Sequence, residues 1–103
     1  MKIEPGYESI ATVLQEALDQ AQSGKGKERH ANDLPFEEQP ILAINRMIGS
    51  PDGLVYQVIK KSLESKRLLQ IKGKDAAIRE LLGVMNYSAA AIILIREQEK
   101  PKE

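Results

Sequence analysis

The chain of 103 residues contains no cysteine and no tryptophan, and it has one histidine and one phenylalanine. Without cysteine it can form no disulfide, no thiolate nucleophile and no sulfur-ligated metal site, which fits a reducing compartment. Because His30 is the only histidine, neither a histidine metal cluster nor an acid–base pair of two imidazoles is possible. Several common kinds of catalytic site are therefore excluded by composition.

The chain also lacks an excess of charge of either sign, since 15 Lys and Arg balance 15 Asp and Glu. No global field draws it to nucleic acid or to an acidic membrane, and any contact with nucleic acid would be weak and easily dissociated by salt. Any site for an anion must therefore be local. The first residues, MKIEPGYES, lack the apolar core of a signal peptide, so we expect a cytoplasmic location.

What is present is a pattern of helices, and it predicts an all-α fold: a single domain over residues 1–103, built as a bundle of about four helices. A helical chain of this length buries a modest core unless a second copy shares it, so we expect a homo-oligomer. The first helix has apolar residues at steps of three and four and ends before Gly24. These residues are Ile10, Val13, Leu14, Ala17, Leu18 and Ala21.

The other three helices are delimited by proline, serine and glycine. Pro40 begins the second, which runs to about Ile48 and should point Ile41, Ile44 and Ile48 inward. Ser50 caps the third, which should fray near residues 66–69. Its predicted inward residues are Leu54, Val55, Val58 and Ile59.

A long fourth helix should run from Gly73 and Asp75 to about Glu99, leaving a solvated tail over residues 99–103. Its stretch 81–95, LLGVMNYSAAAIILI, carries no charge. A membrane span needs about 20 apolar residues, so we expect instead a helix buried on most of its circumference, by its own bundle or by a second subunit. Gly83 within it suggests that another backbone approaches closely.

Residues 24–39, GKGKERHANDLPFEEQ, break this periodicity and form the only chemically dense stretch. Their basic half carries Lys25, Lys27, Arg29, His30 and Asn32 among two glycines. Glycines let backbone N–H groups converge, and Lys and Arg form charge-assisted hydrogen bonds to phosphate. The alternative is a solvated basic turn that favours the negative end of the first helix. The stretch is not a P-loop, because the ending Gly-Lys-Ser/Thr is missing.

The acidic half of the same stretch contains Asp33, Glu37 and Glu38. Carboxylates one turn apart can hold a divalent cation, which would suit a small metal-dependent nucleotide hydrolase. The commoner role of such residues is to stabilise a helix N-terminus. The paired ExxE or ExxD elements of helical nucleotide pyrophosphohydrolases are absent, which argues against an enzyme of that kind. We expect no enzyme, no metal and no cofactor.

Four aromatic residues complete the set of candidates. Tyr7 precedes the first helix and can stack on a base. The rings of Tyr56 and Tyr87 should pack against the bundle while their hydroxyl groups contact water. Phe36 should anchor the loop to the bundle.

The segments GKGKERHAND, PFEEQPI, GSPDGLVYQVIKK and ELLGVMNYSAAAII resemble small proteins encoded by bacteriophages and prophages, over roughly residues 7–95. The last segment, with Glu80, Leu81, Met85 and the run 89–92, is also similar to helical sponge proteins with which phages sequester cyclic-nucleotide immune signals. That resemblance implies that Tyr7 stacks on a base while Lys25 meets the phosphate.

Together these features predict a phage-encoded, non-catalytic protein that sequesters a phosphorylated small molecule, such as a cyclic nucleotide signal. The ligand-binding residues would be Tyr7, Lys25, Lys27, Arg29, His30 and Asn32. Two alternatives remain: a module that binds and inhibits a host protein through residues 24–39 and the third helix, and the small hydrolase.

Overall fold

The computed structural model describes residues 2–23 and 34–98, and within these ranges the chain is all-α and has no strand. Its elements, in chain order, are helices α1 (Glu8–Ser23), α2 (Pro40–Ile48), α3 (Asp52–Ile71) and α4 (Lys74–Gln98), with a 3-10 turn (Phe36–Glu38) before α2. The predicted basic segment and the predicted tail lie outside the described residues. The prediction of four helices with a long apolar last helix is confirmed.

Local signals place most of the helix ends as the sequence predicts. Gly49 ends α2 in the left-handed conformation, with φ of 80°, and its amide donates to the carbonyl oxygens of Asn45 and Arg46. The hydroxyl of Ser50 accepts a hydrogen bond from the amide of Asp52, 3.0 Å away, at the first turn of α3. The predicted fraying of α3 near residues 66–69 is wrong, because the helix continues to Ile71.

Helices α3 and α4 form an antiparallel hairpin, which is the framework of the fold. Lys61 on α3 makes a 2.7 Å salt bridge to Glu80 on α4, and its ammonium lies 5.6 Å from the centre of the Tyr87 ring. Leu54 at the start of α3 is buried with Leu94 near the end of α4. These contacts hold the two helices together at the open end of the hairpin and near its middle.

The core is small and lies where α2 crosses this hairpin. Its buried cluster consists of Leu42, Leu54, Ala90, Ala91 and Leu94. Partly buried residues packed against it include Phe36 and Tyr87, as predicted for both. Tyr56 does not pack as predicted, because 59% of its surface is exposed.

The inward faces of the first three helices are narrower than predicted. Ala17 and Leu54 are buried and Ile41 packs against the core, as predicted, whereas other predicted residues are exposed. On α2 the buried residues are Leu42 and Asn45, whereas Ile44 and Ile48 are exposed. On α3 Val55 and Ile59 are exposed as well. On α1 a single residue, Ala17, is buried. In each case the sequence offers more apolar positions than one neighbouring surface can cover, so the packing partner selects a narrow sector of the helix.

Gly83 does not meet another backbone, contrary to the prediction. A Cβ atom placed on it would lie 3.5 Å from Cδ of Lys61, which is ordinary van der Waals contact with the flexible side chain that reaches Glu80. At this point of the hairpin, α4 is therefore close to the aliphatic part of the Lys61 side chain and not to the backbone of α3.

We therefore expect Gly83→Ala to stabilise the protein. Alanine is favoured over glycine inside a helix by about 0.5–1 kcal/mol, and nothing at this position opposes the gain. Urea denaturation followed by circular dichroism would measure it. Gly73→Ala is the matched control: Gly73 has a φ of 96°, so the same change should destabilise. A loss of stability in Gly83→Ala would contradict the open geometry at Lys61.

Candidate binding cleft

A cleft of about 650 Å³ lies between the second half of α1, the 3-10 turn and α4. Its volume falls in the range of about 300–1,000 Å³ that small-ligand sites occupy. The walls are mostly apolar. They are formed by Leu18, Ala21, Gln22, Leu34, Pro35, Phe36, Glu37, Gln39, Asn86, Ala89 and Ile93.

One wall is held in place by two hydrogen bonds between side chains and backbone. Asn86 on α4 donates through Nδ2 to the carbonyl oxygen of Ala17, 3.0 Å away, and Gln20 donates to the carbonyl oxygen of Arg79, 3.2 Å away. Ala17 is buried at this crossing, where its small side chain lets the two helices approach. The last turn of α1 continues beyond the crossing, which leaves room for the cleft beside it.

The opposite wall is the segment that leads into α2. Gln39 is buried, and its Nε2 donates to the carbonyl oxygen of Leu34, 2.9 Å away. The amide of Glu38 donates to the carbonyl oxygen of Pro35, and Phe36 packs against the core. This short segment is therefore closed on itself by hydrogen bonds and anchored by one aromatic ring.

The lining residues define which chemistry the cleft can accept. The amide nitrogens of Gln39 and Asn86 already donate to backbone oxygens, so they orient the walls. Among the described lining residues, Glu37 alone carries a charge. The described walls thus suit an uncharged, flat or apolar group, and any positive charge for an anion has to come from elsewhere.

Next to the 3-10 turn, α2 is tied to α4 by an arginine–carboxylate pair. Nε and Nη2 of Arg46 donate to the two carboxylate oxygens of Glu97, at 2.9 and 2.6 Å. This hydrogen bonding raises the pKa of Arg46 above its ordinary value, and the charges of Glu37 and Glu38 contribute in the same direction. Because both partners are partly exposed, the pair mainly fixes the geometry of the helices.

The acidic metal site, which the sequence left as an alternative, receives no support from the described residues. Glu37 and Glu38 are exposed on the 3-10 turn, and Asp33 lies outside the described part of the chain. Within residues 2–23 and 34–98 no group of three or more His, Asp or Glu could hold a metal ion.

The predicted ligand-binding residues are divided between two places. Lys25, Lys27, Arg29, His30 and Asn32 lie outside the described residues. Tyr7 is 62% exposed and precedes α1, whereas the cleft lies at the other end of that helix, beside Leu18 and Gln22. From Tyr7 to Ser23 the chain rises by about 24 Å at 1.5 Å per residue, so the structure does not bring Tyr7 to the cleft.

Sequence reasoning missed the cleft itself. The periodicity predicts Leu18 on the packed face of the first helix, and it places Ala89 and Ile93 in an apolar run. One signal could have pointed to the site. Asn86 has the one amide side chain in the uncharged stretch 81–95, and a polar side chain among apolar residues needs a hydrogen-bond partner. Its partner, the carbonyl of Ala17, marks the crossing next to the cleft.

Comparison with protein-family models, curated proteins and solved structures finds no match for this chain. The resemblance to phage proteins therefore stays a prediction, and the site is the main guide to function.

Helix α4 is longer than its uncharged stretch. Among the described residues it is the one helix that could cross a membrane by length and composition, with a mean hydropathy of 1.5 over an 18-residue window of which 11% is buried. The uncharged stretch 81–95 is too short to cross a membrane, but the whole helix has 25 residues and is long enough. Core helices of soluble proteins have the same length and composition, so this finding is weak evidence for a membrane.

Proposed function

We propose that this protein is a non-catalytic binding protein that sequesters a phosphorylated small molecule, specifically a cyclic or linear nucleotide, in the cleft between α1 and α4. One observation carries the proposal. Gln22 and Leu34 both line the cleft, and they closely flank the chain segment that contains Lys25, Lys27, Arg29 and His30. The basic segment is thus joined to the cleft at both of its ends.

The two parts of a nucleotide match the two parts of this site. The apolar walls formed by Leu18, Phe36 and Ile93 suit a base, because a base has two apolar faces. The phosphate needs cations, which the described walls do not contain. Three cations follow Gln22 by three, five and seven residues: Lys25, Lys27 and Arg29. They are the nearest cations in sequence to this end of the cleft, and we expect them to supply this charge.

Phage origin, an immune signal as the ligand and a location in the host cytoplasm belong to the same proposal. They are supported by the resemblance to phage proteins of four segments, GKGKERHAND, PFEEQPI, GSPDGLVYQVIKK and ELLGVMNYSAAAII, of which the last is also similar to the sponge proteins. Binding without turnover is the consistent mode of action, because sequestration requires that the ligand be held intact.

Isothermal titration against cyclic mono- and dinucleotides and their linear counterparts tests the proposal directly. We expect saturable binding of at least one of them. After the complex is denatured, chromatography should recover that nucleotide unchanged. A hydrolysed product that appears with magnesium or manganese would replace the proposal with the hydrolase, and absence of binding by the whole panel would refute it.

Matched variants test whether the cleft is the site. Leu18→Glu places a carboxylate on the wall, and we expect it to weaken nucleotide binding by about tenfold or more, because a charge–phosphate repulsion in a partly dry site costs over about 1 kcal/mol. Leu14→Glu is its control, since Leu14 is one turn earlier on α1, similarly exposed and outside the described lining of the cleft. Equal affinities of the two variants would place the site elsewhere.

The basic segment needs its own test. Lys25→Ala and Arg29→Ala should each weaken binding by about 10- to 100-fold, the value of a charge-assisted hydrogen bond to phosphate. Lys66→Ala removes an exposed lysine of α3 and should leave the affinity unchanged. If both alanine variants of the segment bind as the unmodified protein does, the phosphate does not meet this segment.

A second candidate function, a module that binds a host protein, is favoured by exposed apolar residues on α2 and on the first half of α3. Met47 is 86% exposed, and Ile48, Tyr56 and Ile59 are each more than half exposed. Contiguous exposed apolar residues mark interaction sites. A complex of fixed stoichiometry with an identified host protein, lost in Ile59→Lys and retained in Leu18→Glu, would favour this candidate over the nucleotide.

A further inference from the structure

The outward face of α4 carries an apolar stripe with the spacing of a coiled coil. The stripe comprises Ile78, Leu81, Met85, Ser88, Ile92 and Ile95, separated by three, four, three, four and three residues. This alternation is the a/d pattern with which one helix packs along another. Ile78, Leu81, Ile92 and Ile95 are 40–50% exposed in the protomer.

The position of the stripe on the helix explains why the protomer leaves its two ends exposed and covers Met85 and Ser88 at its centre only in part. At 3.6 residues per turn, the stripe is diametrically opposite Gly83 and Ala90. Ala90 is fully buried, and Gly83 is next to Lys61 of α3. Helix α4 thus turns one side to its own bundle and presents the other as an apolar line about 26 Å long, at 1.5 Å per residue.

We propose that a second copy of this chain occupies the stripe, with the two α4 helices antiparallel about a two-fold axis between Asn86 and Tyr87. In this register Ile78 meets Ile95 of the partner subunit, and Leu81 meets the partner's Ile92. Met85 packs on the partner's Ser88, where the small side chain makes room for the long one. Each pair occurs twice, as a two-fold interface requires.

Charge complementarity selects the antiparallel direction. Asp75 and Arg96 flank the two ends of the stripe on the same side, at equivalent heptad positions. Neither makes a salt bridge to another described residue. In the antiparallel register Asp75 faces the partner's Arg96, and the reverse pair forms at the other end. In a parallel pair these charges would be 21 residues apart along the helices.

A membrane is the poorer occupant because α4 is not a separate helix. Along its length it is packed against α3, whose outer side carries Lys60, Glu64, Lys66 and Arg67. Insertion of α4 into a bilayer would either carry these charges into hydrocarbon or separate the Lys61–Glu80 salt bridge, and both are costly. A second protein surface covers the stripe without moving α3.

The test is a pair of charge variants designed so that only the antiparallel register allows them to complement each other. Leu81→Lys and Ile92→Glu each place an unpaired charge in the interface. Each should weaken self-association by about 100-fold or more, because burial of a charge without a partner is strongly unfavourable. Sedimentation equilibrium at about 1–100 μM, a range chosen to bracket ordinary dimers, should show monomers for both and an even-numbered assembly for the unmodified chain.

Mixing the two variants in equal amounts should restore association. In the antiparallel pair, the lysine introduced at position 81 of one chain lies opposite the glutamate introduced at position 92 of the other. The symmetry-related contact, between the unmodified Ile92 and Leu81, stays apolar. In a parallel pair both charges stay unpaired, so the mixture would remain monomeric.

A matched control separates loss of the interface from loss of the fold. Leu63→Lys introduces the same charge on α3, where Leu63 is 65% exposed and lies outside the stripe. It should leave self-association unchanged. Circular dichroism should show the same helix content in all variants.

Besides a mixture that remains monomeric, three results would overturn the proposal. The first is an unmodified chain that stays monomeric throughout the concentration range. The second is self-association that survives both single substitutions, which would place the interface elsewhere. The third is a monomer that floats with neutral phosphatidylcholine vesicles and loses this binding in Leu81→Lys, which would make lipid the occupant. Because the stripe does not include Leu18 or the basic segment, none of these results depends on nucleotide binding.

Discussion

Replacing Leu42 by alanine should lower the free energy of unfolding by about 3–5 kcal/mol, the range for a fully buried leucine whose removal leaves a cavity. Leu42 has no exposed surface and belongs to the cluster that joins α2 to the hairpin of α3 and α4. Among the described residues the core contains seven buried apolar side chains, of which four are alanines. A single leucine therefore accounts for a large share of the core.

The size of this effect relative to the whole protein makes it easy to measure. A domain of about 100 residues is stable by roughly 5–15 kcal/mol, so Leu42→Ala should shift the urea midpoint strongly or leave the protein partly unfolded. Leu63→Ala, at an exposed position, should cost less than about 1 kcal/mol. Both must be measured at one protein concentration, because self-association adds to apparent stability. A loss below about 1 kcal/mol for Leu42→Ala would contradict the burial of this side chain.

The second large effect is expected for Gly53→Ala in the first turn of α3. A Cβ atom on Gly53 would lie 2.5 Å from Oδ1 of Asn45, far closer than such atoms approach each other. Asn45 is buried and its Nδ2 donates to the carbonyl oxygen of Ile41, 3.0 Å away. Since the side chain has little room to move, we expect Gly53→Ala to destabilise by about 1–3 kcal/mol, the usual cost of overpacking.

A double-mutant cycle separates this clash from any other effect of the alanine. Oδ1 of Asn45 is buried and has no hydrogen-bond partner among the described residues, so Asn45→Ala removes the atom that obstructs the new methyl group. In the Asn45→Ala background, Gly53→Ala should be neutral or slightly stabilising, which gives a coupling energy of at least about 1 kcal/mol. Additive effects of the two substitutions would show that the clash is not the cause.

These stability predictions and the proposed interface follow from the same imbalance. Twenty large apolar residues are substantially exposed in the protomer, whereas three leucines are its largest fully buried side chains among the described residues. An isolated chain of this kind exposes an unusual amount of apolar surface for its core. Association with a second copy would bury part of this apolar surface. The stripe on α4 suits such an interface best, because its apolar residues have the regular spacing of a coiled coil.

Most helix ends, though not the end of α3, were predictable from the sequence, because the signals that set them are local. Pro40, Ser50 and the glycines at 49 and 73 act on the backbone of their own turn. The all-α class and the length of the last helix followed from periodicity in the same way. These features require no knowledge of neighbouring helices.

Only the tertiary structure decided which sector of each helix is buried, because a packing partner covers one narrow face and the sequence offered several. Leu42 and Asn45 are inside while Ile44 and Ile48 are outside, a choice that depends on where α2 crosses the hairpin. The cleft likewise exists because Asn86 ties α1 across α4 through the carbonyl of Ala17. Local sequence patterns contain no information on such a crossing, since its two partners are 69 residues apart.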